Sequence, residues 1–187
     1  ATLVHRKRCG RTAAAAGRIN TAMDQTLLIV YHSRTGGAQQ MAQAVQAGAV
    51  SAGAPVAVRL LQAQAAQPQD LLQAQAFVWA CPENLAAISG EMKEFFDRCY
   101  YPVGQQLAGR AYALLVCAGS DGHNAVRQMQ RIATGWRLRA VAEPYIVCTH
   151  AQTPEAILAP KQLCAEALQP CHALGQALAE GLALGVF

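Results

Sequence analysis

Residues 27–37 read Leu-Leu-Ile-Val-Tyr-His-Ser-Arg-Thr-Gly-Gly, which indicates a strand that runs directly into a polar, glycine-containing turn. The first five residues form an uninterrupted apolar run, as in a strand that is buried on both faces. Residues 38–50 follow with apolar side chains at helical spacing. We therefore predict a strand, a short turn and a helix in succession.

The same alternation continues along the rest of the chain. Strand-like runs follow at residues 56–61, 76–80 and 112–118, and a fifth strand, in two pieces, is predicted for residues 138–148. Helical patterns or loops separate them. Alternating strands and helices predict an α/β fold, a doubly wound five-stranded parallel sheet in the order 2-1-3-4-5 with helices on both faces.

Prolines set two of the expected boundaries. The third strand is expected to stop at Cys81-Pro82, because proline cannot continue a central ladder. The terminal helical region, residues 160–184, is expected to be interrupted by Pro170.

Length and composition exclude several classes of protein. The 187 residues fit one domain, and 53% hydrophobic against 14% charged residues excludes a largely disordered chain. No apolar run reaches the length of about 18 residues that a membrane span needs. Residues 1–22 hold five Lys and Arg and no acid. Residues 23–187 then hold ten basic and eleven acidic residues, a net charge of −1. This balance does not indicate the basic surface that nucleic-acid binding requires.

Residues 1–22 are predicted to be a basic, disordered N-terminal extension, and residues 23–187 a single folded domain. A basic arm that binds an anionic partner is the alternative interpretation of the extension. Seven cysteines without a CxxC pair indicate reduced thiols and thus a cytoplasmic protein. No His and Cys residues have metal-ligand spacing, so we expect no metal.

The loops after the first, third and fourth strands should converge on one crevice, because ligands of open α/β sheets bind where the strand order reverses. The first of these loops, residues 32–39, combines hydroxyls with glycines and leads into a helix, which suits a single phosphate. It lacks both the GxGxxG pattern of dinucleotide sites and the GK[ST] ending of a Walker loop. A solvated turn without a ligand is the alternative.

Three segments resemble a known family. YHSRTGGAQQMAQAV (residues 31–45) resembles the phosphate loop of flavodoxins, T/S-x-T-G-x-T. CPENLAAISGEMKEFFDRCYY (residues 81–101) resembles the segment P-x-Y-x(4)-S-G-x-M-K-x-F-x-D-R of flavodoxin-like NAD(P)H-dependent quinone and FMN reductases, which include the tryptophan-repressor-binding-protein-like flavoproteins. AGSDGHNA (residues 118–125) stands in the place of that family's third flavin loop. The resemblance covers residues 26 to about 149 and implies a flavodoxin-like fold.

The resemblance also implies a binding site for FMN. Its phosphate would be held by Ser33, Arg34, Thr35, Gly36, Gly37 and Ala38. Its ring would be bordered by Pro82, Glu83, Asn84 and Leu85, with Ser89 close by. The opposite ring edge would be covered by Ala118, Gly119, Ser120, Asp121 and Gly122.

Two departures from the family pattern affect this site. Ala38 stands where a third phosphate-binding hydroxyl is expected, which removes a hydrogen bond worth about 0.5–1.5 kcal/mol. Asn84 or Leu85 replaces the aromatic residue that follows Pro82. Weak retention of FMN is therefore expected.

Several residues near the crevice admit two interpretations. Glu83 and Asp121 are either acids beside the flavin or solvated loop carboxylates. Cys81, Cys117 and Cys148, at strand ends, are either packing thiols or redox groups.

The function implied is an FMN-dependent oxidoreductase that passes electrons from NAD(P)H to a quinone or similar acceptor with ping-pong kinetics. No catalytic side chain is expected, since the flavin carries the chemistry. The resemblance implies a homodimer or homotetramer. A non-enzymatic flavodoxin-type electron carrier is the alternative, although such carriers dock through strongly acidic surfaces. A phospho-receiver ranks last, because the first strand ends in Tyr31-His32 without an acid.

Overall fold

The predicted strands form one largely parallel sheet in the computed structural model, which describes residues 25–187. The strands are β1 (Gln25–Tyr31), β2 (Val56–Gln62), β3 (Ala76–Asn84), β4 (Ala87–Ile88), β5 (Ala111–Ala118), β6 (Arg139–Ala140) and β7 (Tyr145–Cys148). The helices are α1 (Gly37–Ser51), α2 (Pro68–Gln73), α3 (Gly90–Val103), α4 (His123–Gly135), α5 (Pro154–Leu158) and α6 (Ala165–Ala183). The predicted extension, residues 1–22, lies outside the described residues.

The strand order confirms the predicted doubly wound topology. The sheet runs β2-β1-β3-β5, and β6 and β7 both pair in parallel with β5. These two short strands are the two pieces of the predicted fifth strand. Counted as one, they give the order 2-1-3-4-5, with the small β4 added beside β3.

Helices cover both faces of the sheet, as the continuous apolar strands predict. Alternate residues of β1 point to opposite faces: Leu28 joins the hydrophobic cluster under α3 and α4, and Ile29 joins the cluster under α1 and α6. Both side chains are fully buried. The two clusters hold the sheet between helix layers and leave its carboxyl edge free for loops.

Two expected boundaries were wrong. Strand β3 does not stop at Cys81-Pro82 but continues to Asn84, because Glu83 and Asn84 pair with β4 in a short antiparallel hairpin. The terminal helix begins at Ala165 instead of residue 160 and continues through Pro170. Packing of α6 on α1 offsets the one helical hydrogen bond that this proline cannot donate.

Among residues 25–187, no helix combines the length and the apolar character that crossing a membrane requires.

Candidate functional site

A cleft opens at the carboxyl edge of the sheet, where the predicted loops meet. The loop after β1 supplies one wall, and the loops after β3 and β5 supply the others. The inner part has a cavity volume of about 80 Å³ and continues into a wider mouth of about 500 Å³. This position is the one that the reversal of strand order predicts for a ligand.

Most of the predicted site residues lie in this cleft. Its inner part is lined by Ser33, Arg34, Thr35, Gly37, Ala38, Pro82, Glu83, Asn84, Ala118 and Gly119. Leu85 and Ser120 line the mouth. Four predicted residues do not line either part: Gly36, Ser89, Asp121 and Gly122.

The loop after β1 forms a cradle at the start of α1. Gly36 caps the helix in the left-handed conformation (φ 92°), which an L side chain rarely adopts, and its N–H donates to Ser33 Oγ at 3.1 Å. The N–H groups of Thr35, Gly37 and Ala38 have no acceptor within residues 25–187. The first turn of α1 also carries no acid. Free amides and the positive helix end favour an anion here.

Gly37 makes this cradle possible because strand β5 passes directly beneath it. A Cβ added at Gly37 would overlap Cys117 Sγ. Cys117 is buried, and burial raises the pKa of its thiol to about 11. The thiol is therefore protonated and supports the cradle as a packing group.

Cys81 is equally buried, and burial raises the pKa of its thiol to about 12. Its Sγ lies 3.9 Å from the sulfur of Met129 in the core. Both features favour the packing interpretation of this thiol over the redox one, since a protonated buried thiol is unreactive. Cys148 is partly exposed, and its Sγ donates weakly to Asp121 O at 3.7 Å.

The second wall is the hairpin formed by β3 and β4. Its turn places Leu85 (φ 49°) and Ala86 (φ 57°) in the left-handed region, although neither is glycine or asparagine. Leu85 is fully exposed at the tip. Ile88 N–H donates to Gln128 Oε1 at 3.0 Å, and the Asn124 amide donates to Ala86 O, so α4 holds the hairpin in place.

Glu83 links the second wall to the third. Its Oε2 accepts from Gly122 N–H at 2.7 Å, and its Oε1 accepts from Ala125 N–H at 3.2 Å. Glu83, on strand β3, therefore caps the start of α4. Neither interpretation from the sequence included this role. Asp121 is exposed, in keeping with its interpretation as a solvated loop carboxylate.

Replacing Glu83 by alanine is expected to lower the free energy of unfolding by about 1–2 kcal/mol, because the start of α4 loses both acceptors. Urea unfolding followed by circular dichroism measures this change. Glu143→Ala removes an exposed carboxylate and is the matched control, with an expected change below about 0.5 kcal/mol. Equal effects of the two substitutions would contradict the capping role.

Two of the predicted site residues that do not line the cleft are helix caps. Gly122 caps α4 with φ 92°, and a Cβ there would lie 2.6 Å from Ile146 Cγ2. Ser89 caps α3 without a side-chain hydrogen bond, and its Oγ is buried with no partner within residues 25–187. We infer that both position the loops from below the cleft.

His32 lies buried at the end of β1, just before the cradle. Its Nε2 is 3.5 Å from Glu91 Oε2, and its Nδ1 has no partner among the described residues. Burial lowers the pKa of His32 below its usual value, and Arg34 adds to this, while Glu91 opposes it. A neutral imidazole at neutral pH follows, so His32 adds no positive charge to the cradle.

A fourth wall of the cleft was missed by sequence reasoning. The segment after β7 contributes Thr149, Ala151, Ile157 and Lys161. It is joined to the third loop by His150 N–H, which donates to Gly119 O at 2.8 Å. It is joined to the cradle by Lys161 N–H, which donates to Thr35 O at 2.7 Å.

A local signal for this wall is present in the sequence. Thr153-Pro154-Glu155 is a helix start, with Thr153 Oγ1 accepting from Ala156 N–H at 3.2 Å and proline at the first helical position. The strand before it is parallel to its neighbours, so its loop must reach the same edge of the sheet.

The described residues fit an FMN phosphate. The cradle offers free backbone amides, the hydroxyls of Ser33 and Thr35, and room above Gly37 that a Cβ could occupy only by displacing Cys117. No group of three or more His, Cys, Asp or Glu within residues 25–187 is arranged to hold a metal ion.

Comparison with known proteins agrees with the fold. Residues 62–153 match the model of the family described as NADPH-dependent FMN reductase. A protein named flavodoxin from Aquifex aeolicus (strain VF5) is 29% identical over 165 residues, covering 86% of this chain and 88% of that protein.

Solved structures share the fold at low sequence identity. A flavodoxin from the domain Archaea has a TM-score of 0.68 at 18% identity and covers 84% of this chain and 99% of its own. A flavodoxin, WrbA-like protein from Agrobacterium tumefaciens has a TM-score of 0.65 at 16% identity and covers 86% and 98%.

The protein is thus flavodoxin-like, with its cleft at the reversal point of the sheet. The match to the NADPH-dependent FMN reductase model over residues 62–153 agrees with the resemblance seen in the sequence, and it supports an FMN-binding flavoprotein oxidoreductase.

Proposed function

We propose that this protein is an FMN-dependent oxidoreductase that takes electrons from NAD(P)H and passes them to a quinone or a similar acceptor. One observation carries the proposal: the anion cradle at the start of α1 opens into the space between the β3–β4 hairpin and the loop after β5, within one cleft. FMN, when bound, would supply the two-electron chemistry.

The chain's own residues would bind and orient. The amides of Thr35, Gly37 and Ala38 would hold the phosphate at the start of α1. The hairpin residues from Pro82 to Leu85 and the loop residues Gly119 and Ser120 would border the ring from two sides.

The mouth of the cleft supports a ping-pong order. It is wider than the inner part and is lined by exposed residues such as Leu85, Ser120 and Gln152. An opening to solvent on one side of the cleft would let nicotinamide and acceptor reach a bound cofactor in turn.

Binding of FMN in preference to riboflavin tests the cradle. FMN is expected to bind about a hundredfold more tightly, because charge-assisted hydrogen bonds to the phosphate are worth about 1.5–3 kcal/mol each. Titration with each flavin, followed by flavin fluorescence, measures the two affinities. Equal affinity for both flavins, or no binding of either, would contradict the proposal.

Turnover then tests the reaction. Oxidation of NADPH and of NADH is measured spectrophotometrically with FMN-loaded protein, with and without benzoquinone, against FMN alone as the control. Oxidation that depends on both protein and quinone is expected.

An electron carrier is the second candidate, because the Aquifex aeolicus relative is named flavodoxin. The net charge of −1 over residues 23–187 argues against it, since carriers dock to basic partners through acidic surfaces. Tight FMN binding without nicotinamide oxidation would favour the carrier. The homodimer or homotetramer and the cytoplasmic location stay predictions.

A further inference from the structure

The cradle lacks a group that the family pattern supplies. Ala38 has no hydroxyl, and the adjacent Arg34 is exposed to solvent. The free amides are neutral donors and this arginine is exposed, so a further cation beside the start of α1 would strengthen the binding of a phosphate dianion.

Lys161 lies beside the cradle, although it is 123 residues later in sequence than Ala38. Its N–H donates to Thr35 O at 2.7 Å, and a Cβ added at Gly37 would lie 3.7 Å from Lys161 Cβ. Gln40 fixes the same segment, because its Nε2 donates to Lys161 O at 2.7 Å and its Oε1 accepts from Leu163 N–H at 3.1 Å.

The ammonium group of Lys161 is held without being neutralised. Its Nζ donates to three backbone carbonyls at the end of α5, those of Ala156 (2.6 Å), Ile157 (2.9 Å) and Ala159 (2.7 Å). No carboxylate within residues 25–187 forms an ion pair with it. All three ammonium hydrogens are used in the bonds to the carbonyls, so the charge would act on an anion in the cleft through its field and not through a hydrogen bond.

The charge also acts on the floor of the cradle. Lys161 lowers the pKa of the Cys117 thiol, although the raising effect of burial outweighs it. Since Cys117 Sγ lies directly under Gly37, the charge of Lys161 acts on the floor of the cradle.

We propose that Lys161 is a cation of the phosphate site, whose charge attracts the phosphate toward the start of α1 and compensates in part for the hydroxyl that Ala38 lacks. This inference rests on the proposed binding of FMN. The same ammonium also holds the end of α5. A bound phosphate would therefore add an electrostatic attraction between the fourth wall and the cradle, beside the existing bonds to Thr35 and Gln40.

The test compares affinities for FMN and riboflavin in Lys161→Gln, Lys161→Arg and Lys93→Gln. Gln removes the charge at residue 161 but keeps a donor for the α5 carbonyls, whereas Arg keeps the charge. Lys93 is the matched control, because it is the other described lysine and pairs with Asp97 on α3, away from the cleft.

Lys161→Gln is expected to weaken FMN binding about tenfold or more and to leave riboflavin binding within about twofold. Lys161→Arg should retain most of the preference for FMN, and Lys93→Gln should retain all of it. The preference of the unaltered protein should also decline with salt, and that of Lys161→Gln should decline less.

An unchanged ratio of the two affinities in Lys161→Gln would overturn the inference, as would an equal loss of both flavins. A thermal melt of each variant shows whether it is folded; if the Gln variant is not, a preference of the unaltered protein for FMN that does not decline with salt overturns the inference. Failure of the unaltered protein to prefer FMN is a different result, which overturns the proposed function itself.

Discussion

Replacing Gly175 by alanine is expected to lower the free energy of unfolding by about 3 kcal/mol or more, the upper end for an overpacked interior. A Cβ at Gly175 would overlap Val45 O and lie 2.9 Å from Ala49 N, so it meets backbone and not a side chain that can turn away. The contact is reciprocal, since a Cβ at Gly48 would lie 2.7 Å from the carbonyl carbon of His172.

Helices α1 and α6 therefore touch through their backbones, and any added methyl must push them apart. Both helices contribute to the hydrophobic cluster on this face of the sheet, through residues such as Met41, Val45 and Leu178. Separating them would expose this cluster and shift the start of α1, which forms the cradle. The melting temperature should fall by about 6–12 °C, and FMN binding should weaken with it.

Two glycine substitutions serve as controls for Gly175→Ala. Gly90 begins α3 with open space around it, so Gly90→Ala should be neutral or slightly stabilising. A Cβ at Gly181 would overlap the far end of the Phe187 ring, a side chain that can turn away, so Gly181→Ala should cost about 1 kcal/mol or less. Thermal unfolding of all three variants checks the order, and a Gly175→Ala protein as stable as Gly90→Ala would refute the backbone contact.

The sequence predicted those parts of the fold and site that depend on local signals. A continuous apolar run predicts strand β1, and the residue types of a single loop predict the cradle. The reversal of strand order then follows from the number of strands, and it placed the first three walls of the cleft correctly.

The parts that were missed depend on pairings between distant residues. The hairpin turn uses Leu85 and Ala86 in a conformation that glycine or asparagine usually marks, so the sequence carried no turn signal. Glu83 caps a helix that begins 40 residues later. The fourth wall is largely exposed and has no apolar periodicity; the helix start at Thr153 marks it only locally, and its contact with the cradle depends on the distant bonds to Thr35 and Gln40.

Replacing Gly37 by alanine is expected to abolish the preference for FMN over riboflavin and to cost about 2–3 kcal/mol of stability. The added Cβ would overlap Cys117 Sγ, so either the start of α1 rises into the cleft or strand β5 is displaced. Both changes misplace the free amides of the cradle.

The second substitution Cys117→Ala should rescue this variant. It removes Sγ and leaves Cys117 Cβ at an ordinary contact distance of 3.5 Å from the new methyl group. Cys117→Ala alone should cost about 1 kcal/mol or more for the small cavity, so the double variant should be more stable than the sum of the single changes predicts. Urea unfolding and flavin titration of all four proteins form a double-mutant cycle.

Additive losses in the cycle would mean that the thiol does not support the cradle. A coupling of about 1–2 kcal/mol, together with recovered preference for FMN, would show that the close approach of Gly37 to β5 forms the phosphate site.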